Sequence, residues 1–141
     1  MGLAMPFIPP GYEAERLRFG QTFDFLFEND ARSIIWNVEA AIEVAKHRPH
    51  RKVYRADFMQ AMRFNNEART SIVPAKLMAT DLAQAIIILP LPSIMIPGCQ
   101  VIIDGWHRIA RAIIEGLPFL RAAFLTEDDE RALRLKDVIY V

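Results

Sequence analysis

The chain has a single cysteine, Cys99, among its 141 residues, so it cannot form an internal disulfide bond. It also has no excess of charge, because its 17 lysine and arginine residues equal its 17 aspartate and glutamate residues. A zero balance gives no general attraction to nucleic acid or to an anionic membrane, so any such attraction must be local. The lone cysteine indicates a reducing setting, and we expect a cytoplasmic protein.

Targeting and membrane-spanning signals are missing as well. Residues 1–10 are apolar but contain three prolines and no lysine or arginine, unlike a secretory signal peptide. Residues 85–103 are uncharged and nearly long enough to span a bilayer, yet Pro90, Pro92 and Pro97 would break such a helix. We therefore expect buried strands joined by a turn at Pro97 and Gly98, and no membrane partner.

Several catalytic signatures are absent: a Walker loop, a Rossmann glycine fingerprint, a zinc-protease helix and a nucleophile elbow. His47 and His50 are separated by a proline and lack neighbouring cysteine or acidic ligands, so they make a weak metal pair. The acidic residues 127–130 fall in the first turn of a predicted helix, where carboxylates stabilise the helix dipole. We expect no metal site built by the chain itself.

The first half of the chain predicts an arm over residues 1–20 and a strand over Thr22–Phe27, whose phenylalanines alternate on one face. Apolar residues at helical spacing predict a helix over residues 31–46, with cap candidates at Asn29, Asp30 and Ser33. Two shorter predictions follow: a helix over residues 58–64 capped by Asp57, and an edge strand over residues 71–77 interrupted at Pro74.

The second half of the chain has clearer signals for where helices begin and end. A helix over Trp106–Glu115 is expected to end at Gly116, and Thr126 with Asp129 predicts a capping box for a helix reaching about residue 135. The remaining apolar runs predict strands at residues 86–91, 93–96, 100–103 and 119–125, with a further strand or a free tail at 138–141. This mixed order predicts an α+β fold.

The junction between strand 100–103 and the following helix is the sharpest pointer to chemistry. Asp104 can cap the helix, and Gly105 permits a tight turn and the close approach of a ligand. His107 and Arg108 lie in the first turn, where backbone N–H groups and the helix dipole already favour an anion. Two readings remain open here. One is a phosphate site, and the other is an ordinary turn in which Arg111 pairs with Glu115 and His107 packs or caps.

The motif Ile103-Asp104-Gly105-Trp106-His107-Arg108, followed by an alanine-containing helix, Gly116 and the strand around Pro118, resembles the ParB/sulfiredoxin-like superfamily. The resemblance covers about residues 71–126. It implies a nucleoside triphosphate, ATP or CTP, with Mg²⁺. It also implies catalytic roles for Asp104, His107 and Arg108, and a binding set of Gly105, Trp106, His107, Arg108 and Arg111.

Activities in this superfamily diverge, and departures in this chain narrow them. Sulfiredoxins place a cysteine where this chain has Trp106, and Cys99 cannot replace it by position, so we expect no sulfinic acid reduction. Partitioning proteins continue into a helical DNA-reading domain, which we do not expect in a chain ending at Val141. A serine-type kinase needs an upstream glutamate, and that role stays open between Glu39, Glu43 and Glu67.

A basic run occupies residues 46–55. Arg48, Arg51, Lys52 and Arg55 could contact a nucleic-acid backbone, with Tyr54 as a stacking group. A second interpretation, which we favour, is that the run is a solvated helix end and loop. A third interpretation is that these basic side chains complete the nucleotide site. Nucleic-acid contact here would suit a non-enzymatic DNA- or protein-binding accessory module of a plasmid, phage or conjugation system.

These observations together predict one α+β domain over residues 21–141 with a small mixed sheet, packed helices and a ParB/sulfiredoxin-like core at about 71–126. The expected function is nucleoside triphosphate binding at the Asp104–Arg108 turn. Nucleotide hydrolysis or phosphoryl transfer would be the reaction if there is one.

Overall fold

The structure is a computed structural model that describes residues 21–27, 31–64, 72–92 and 98–140. These residues form seven strands: β1 (Thr22–Phe27), β2 (Arg32–Asn37), β3 (His50–Tyr54), β4 (Ile86–Pro90), β5 (Gln100–Asp104), β6 (Phe119–Phe124) and β7 (Arg134–Ile139). They also form five helices: α1 (Val38–Ala45), α2 (Arg55–Phe64), α3 (Pro74–Ala79), α4 (Trp106–Glu115) and α5 (Glu127–Leu133). None of these helices is long and apolar enough to cross a membrane.

The strands form two sheets, which confirms the α+β class in a single small domain. An antiparallel sheet has the order β1-β2-β7, and a mixed sheet has the order β3-β6-β4-β5. In the mixed sheet β4 and β6 run parallel, while the other two pairs are antiparallel. The sequence led us to expect one small mixed sheet. The second sheet forms because β2 pairs with both β1 and the C-terminal strand β7.

Strands β4 and β5 of the mixed sheet are buried on both faces, which explains their nearly continuous apolar runs. Alternate residues on one face join a core with β2, α1 and α5, including Ile87, Leu89 and Ile103. Residues on the opposite face, such as Ile86 and Ile88, pack in a second core against α2 and α4. Successive side chains of β4 therefore enter different cores, and the sheet is held rigidly behind the β5–α4 turn.

The predicted helix over residues 31–46 was wrong in its first half. Residues 32–37 form β2, and only Val38–Ala45 is helical, capped by the side chain of Asn37, which accepts from the backbone N–H of Ala40 at 3.0 Å. In β2 all four residues from Ser33 to Trp36 are buried. A run buried on both sides fits a strand between two partners, and tertiary pairing overrode the helical spacing.

Two further predictions in the first half were wrong. Pro74 does not interrupt a strand but begins α3, where a missing N–H costs nothing. Helix α2 starts at Arg55, earlier than residue 58, and Asp57 lies in its first turn and does not precede it. The favoured reading of the basic run as helix end and loop also fails in part, because His50–Tyr54 is strand β3 paired with β6.

The second half follows its sequence signals more closely. Helix α4 has the predicted bounds and ends at Gly116, whose φ of 70° is the left-handed conformation that glycine adopts freely. The capping box of Thr126 and Asp129 is confirmed, although α5 ends at Leu133 and β7 starts immediately after it. The predicted arm at 1–20, the strand at 93–96 and Pro97 lie outside the described residues.

Candidate functional site

The turn between β5 and α4 is built around Gly105. Its φ of 103° is left-handed, and it serves as the N-cap of α4 without any side-chain cap. The expectation that Asp104 caps the helix was therefore wrong. Its carboxylate instead accepts from the Gly105 backbone N–H and from the side chain of Gln21. Burial raises the pKa of Asp104, and the nearby Arg108 opposes that shift.

Arg108 is drawn into the protein beneath this turn and is only 7% exposed. Its guanidinium donates to the Ala85 carbonyl at 2.9 Å and to Oε1 of Gln84 at 3.3 Å, and its Nη2 lies 3.8 Å from Asp104. Its Nε is buried and has no hydrogen-bond partner among the described residues. The Arg108 side chain thus connects the residues before β4 to the start of α4. Its Nε–H donor is not used in these contacts.

His107 is held by an unexpected partner. The backbone N–H of Val73 donates to its Nε2 at 2.9 Å, so Nε2 is unprotonated and the neutral ring carries its proton on Nδ1. Burial lowers the pKa of His107, and the positive charge of Lys76 lowers it further. At neutral pH the side chain is therefore a polar, uncharged group.

The side chains of Trp106 and Arg111 both have bonding partners within the protein. Trp106 donates its indole N–H to the Ile102 carbonyl at 3.1 Å. Arg111 pairs with Glu115 at 2.5 Å, as one sequence reading proposed, and also donates to the Thr80 carbonyl at 2.8 Å. The apolar residues of α4 differ in burial: Ile114 is 71% exposed, while Ile109 and Ala112 are fully buried.

A cleft of about 290 Å³ opens between α3 and the start of α4. Its lining contains four members of the predicted site together with three residues from α3 and its C-terminal end: Asp104, Gly105, His107, Arg108, Lys76, Ala79 and Thr80. The structure brings the motif residues together at this cleft, whereas Trp106 and Arg111 are outside its lining. The sequence did not indicate Lys76 as a site residue, because residues 71–77 predict a strand there. The signal that could have indicated a helix is Pro74, a residue favoured at helix starts.

The four basic residues proposed for nucleic-acid contact are dispersed. Arg48 forms a two-point ion pair with Asp129, with distances of 2.7 and 2.6 Å, and this pairing lowers the Asp129 pKa to about 2. Arg55 donates to the Ala112 and Ile113 carbonyls near the end of α4. These two arginines join elements of the fold, so they do not form a free basic patch.

Arg51 and Lys52 lie on opposite faces of β3. The Arg51 guanidinium stacks on the Phe124 ring at 3.9 Å, and the Lys52 ammonium lies 4.4 Å from the centre of the Phe119 ring. Because side chains alternate across a strand, a single ligand on one face of the sheet meets only one of these two cations.

No cluster of three or more histidine, cysteine, aspartate or glutamate residues could hold a metal ion within the described residues. His50 donates from Nε2 to the Ala45 carbonyl at 3.1 Å. In the acidic first turn of α5, the Asp129 carboxylate accepts from the Thr126 backbone N–H in the capping box, and Glu130 accepts from the Trp36 indole and binds Arg134. The lining of the cleft contains one carboxylate, Asp104, which does not by itself make an Mg²⁺ site.

No protein family, no curated protein and no solved structure matches this chain. The likeness to the ParB/sulfiredoxin-like superfamily consequently rests on the short motif and its flanking elements.

Proposed function

We propose that the protein binds the phosphate chain of a nucleoside triphosphate in the cleft between α3 and α4. One observation carries this proposal: the unpartnered Nε of the buried Arg108 belongs to a side chain that lines the cleft at the start of a ten-residue helix. A buried donor without an acceptor is costly, so the Arg108 guanidinium has hydrogen-bonding capacity that the described residues leave unused, and an anion in the cleft would lie beside it. The motif's resemblance to the ParB/sulfiredoxin-like superfamily agrees with this ligand class.

The charges around the cleft assign different roles to its residues. Asp104 and Arg108 partly neutralise each other, and His107 is uncharged. Lys76 is exposed on α3 and is the cation of the lining that has no ion-pair partner among the described residues. Lys76 therefore contributes the free positive charge, and the backbone N–H groups of the first α4 turn add their partial charges.

The volume of the cleft limits what it can enclose. About 290 Å³ lies at the lower end of the range for ligand pockets. It accommodates phosphates better than a whole nucleotide, so we propose weak selection among bases. Mg²⁺ would arrive bound to the triphosphate oxygens, because the described residues form no metal cluster of their own.

Thermal unfolding in the presence of ATP, CTP, GTP and inorganic triphosphate, with and without Mg²⁺, tests this function. A ligand at one hundred times its Kd stabilises the folded state by about 2.7 kcal/mol. For a chain of this size that raises the Tm by roughly 8–10 °C. Lys76→Ala should lose most of this shift. Lys46→Ala, which removes an exposed lysine bonded to Glu43 on α1, should retain it. The absence of a shift with all four ligands at millimolar concentration would contradict the proposal.

A further inference from the structure

An exposed patch of two aromatic rings and two cations lies on the antiparallel strands β3 and β6, outside the cleft. Lys52 and Tyr54 of β3 are direct cross-strand partners of Arg121 and Phe119 of β6. All four side chains are exposed, with Tyr54 at 58% and Phe119 at 39%. Because they alternate with the buried Leu120 and the half-buried Val53, they share one face of the sheet. We call this face the Lys52–Arg121 patch.

The patch lies at an open corner of the mixed sheet. Strand β3 is at the edge of the sheet, and β4 pairs with β6 only at residues 122–124. Phe119 and Arg121 are therefore beyond the start of β4. This register leaves Phe119 and Arg121 without a β4 neighbour, and Lys52 and Tyr54 on the edge strand have no neighbouring strand on their outer side.

The aromatic pair is unusual among the exposed apolar groups. Six large hydrophobic side chains are exposed within the described residues, and the two aromatic ones are Tyr54 and Phe119. Their ring centres are 6.4 Å apart with planes at 65°, an edge-to-face contact. Phe119 thus supports Tyr54 from the side, and more than half of the Tyr54 surface remains available for stacking.

The positive charges of Lys52 and Arg121 are not balanced by ion pairs within the described residues. Lys52 and Arg121 are directly opposite each other across the two strands, an arrangement that is destabilising for like charges. Neither makes an ion pair within the described part of the chain. Most other described arginines either pair with a carboxylate or donate to a carbonyl group. In a chain of zero net charge, this is a local concentration of positive charge that an anion would relieve.

We infer that the Lys52–Arg121 patch binds single-stranded nucleic acid. A base would stack on Tyr54, and the flanking phosphates would contact Lys52 and Arg121, which project from the same face. Stacking groups interleaved with cations suit a single strand, because the bases of a duplex are already stacked on one another. The patch shares Lys52 and Tyr54 with the basic run of residues 46–55, but it excludes the three arginines of that run and adds Phe119 and Arg121 of β6.

Fluorescence anisotropy with labelled oligothymidine and oligouridine of about ten nucleotides, and with a duplex of similar length, tests the inference. We expect binding of single strands to exceed binding of the duplex. Two phosphate contacts predict a slope of about −1.4 in a plot of log affinity against log salt concentration. A preference for one oligonucleotide identifies the strand as DNA or RNA and supports the inference in either case.

The variants separate stacking from charge. Tyr54→Ala should weaken binding by about fivefold or more, whereas Tyr54→Phe should retain it because the ring remains. Lys52→Ala/Arg121→Ala should remove most of the salt dependence. Lys46→Ala/Arg131→Ala removes the same charge from other elements and should bind like the wild type, and circular dichroism checks that each variant is folded.

Several results would overturn the inference: no binding of either single strand, duplex binding at least as tight, or unchanged binding by folded Tyr54→Ala. A concentration-dependent dimer that is lost in Tyr54→Ala would instead assign the patch to self-association. Lys76→Ala should bind oligonucleotides normally, so failure of the triphosphate proposal and failure of this one are distinguishable.

Discussion

Gly105 lies so close to Ile86 that a Cβ at position 105 would be 2.5 Å from Cγ2 of the isoleucine. The same Cβ would be 2.8 Å from Nη1 of Arg108. Ile86 is fully buried at the start of β4, and Arg108 is fixed by the Ala85 carbonyl beside it. The glycine therefore lets the turn before α4 close onto the sheet and onto the arginine side chain.

Replacing Gly105 by alanine should be severe. The positive φ costs a non-glycine residue about 1–2 kcal/mol, and overpacking against Ile86 adds about 1–3 kcal/mol. Urea unfolding should therefore show a loss of roughly 2–5 kcal/mol. Gly116→Ala is the matched control, because Gly116 also has a positive φ but has open space where the Cβ would be. It should lose only the conformational cost of about 1–2 kcal/mol, and equal losses in the two variants would contradict the proposed contact with Ile86.

A buried polar group joins the antiparallel sheet to α5. Glu130 is 2% exposed, accepts the indole N–H of Trp36 at 2.8 Å, and binds Arg134 through two contacts of 2.6 Å. Glu130→Ala should cost about 3 kcal/mol, at the lower end for a broken buried ion pair, because it leaves the indole donor without an acceptor while Arg134 keeps Asp137 at 3.1 Å. Trp36→Phe keeps the ion pair and should cost less, about 1–3 kcal/mol. Chemical denaturation of both variants checks the order, and the reverse order would show that ring packing at Trp36 dominates.

The titration of His107 should reflect its partial burial beside Lys76. Its pKa should lie below the ordinary 6.5, since burial and the charge of Lys76 both oppose protonation. The unfolded chain then binds the proton more readily than the folded protein, so the free energy of unfolding should fall as the pH drops below about 6.5. NMR of the imidazole ring measures this pKa directly, with Lys76→Ala expected to raise it. A pKa at or above 6.5 would contradict the burial of the ring beside Lys76.

Local sequence signals predicted the elements that carry their own boundaries. Helix α4 begins after Gly105 and ends at Gly116, and both glycines adopt conformations that other residues resist. The capping box of Thr126 and Asp129 similarly set the start of α5. In these cases the deciding interactions lie within a few residues of each other, so they can be read from spacing alone.

Elements decided by distant partners were predicted poorly. The apolar residues Ile34 and Ile35 fit helical spacing, yet β2 pairs on one side with β1 and on the other with β7, about one hundred residues later. The basic residues of β3 gave no strand pattern of their own, and pairing with β6 places them in the sheet. Such pairings depend on chain segments that no local window contains.

The sequence by itself determined where the candidate site is, because Asp104-Gly105 must turn between a buried strand and an amphipathic helix. Only the tertiary structure decided which cations are available. It places Arg108 beneath the turn, pairs Arg48 with Asp129, and leaves Lys76 and Arg121 exposed without ion pairs in the described part of the chain. The physical reason is that a side chain's charge is fixed by its residue type, whereas its exposure and its partners depend on segments far away in the sequence.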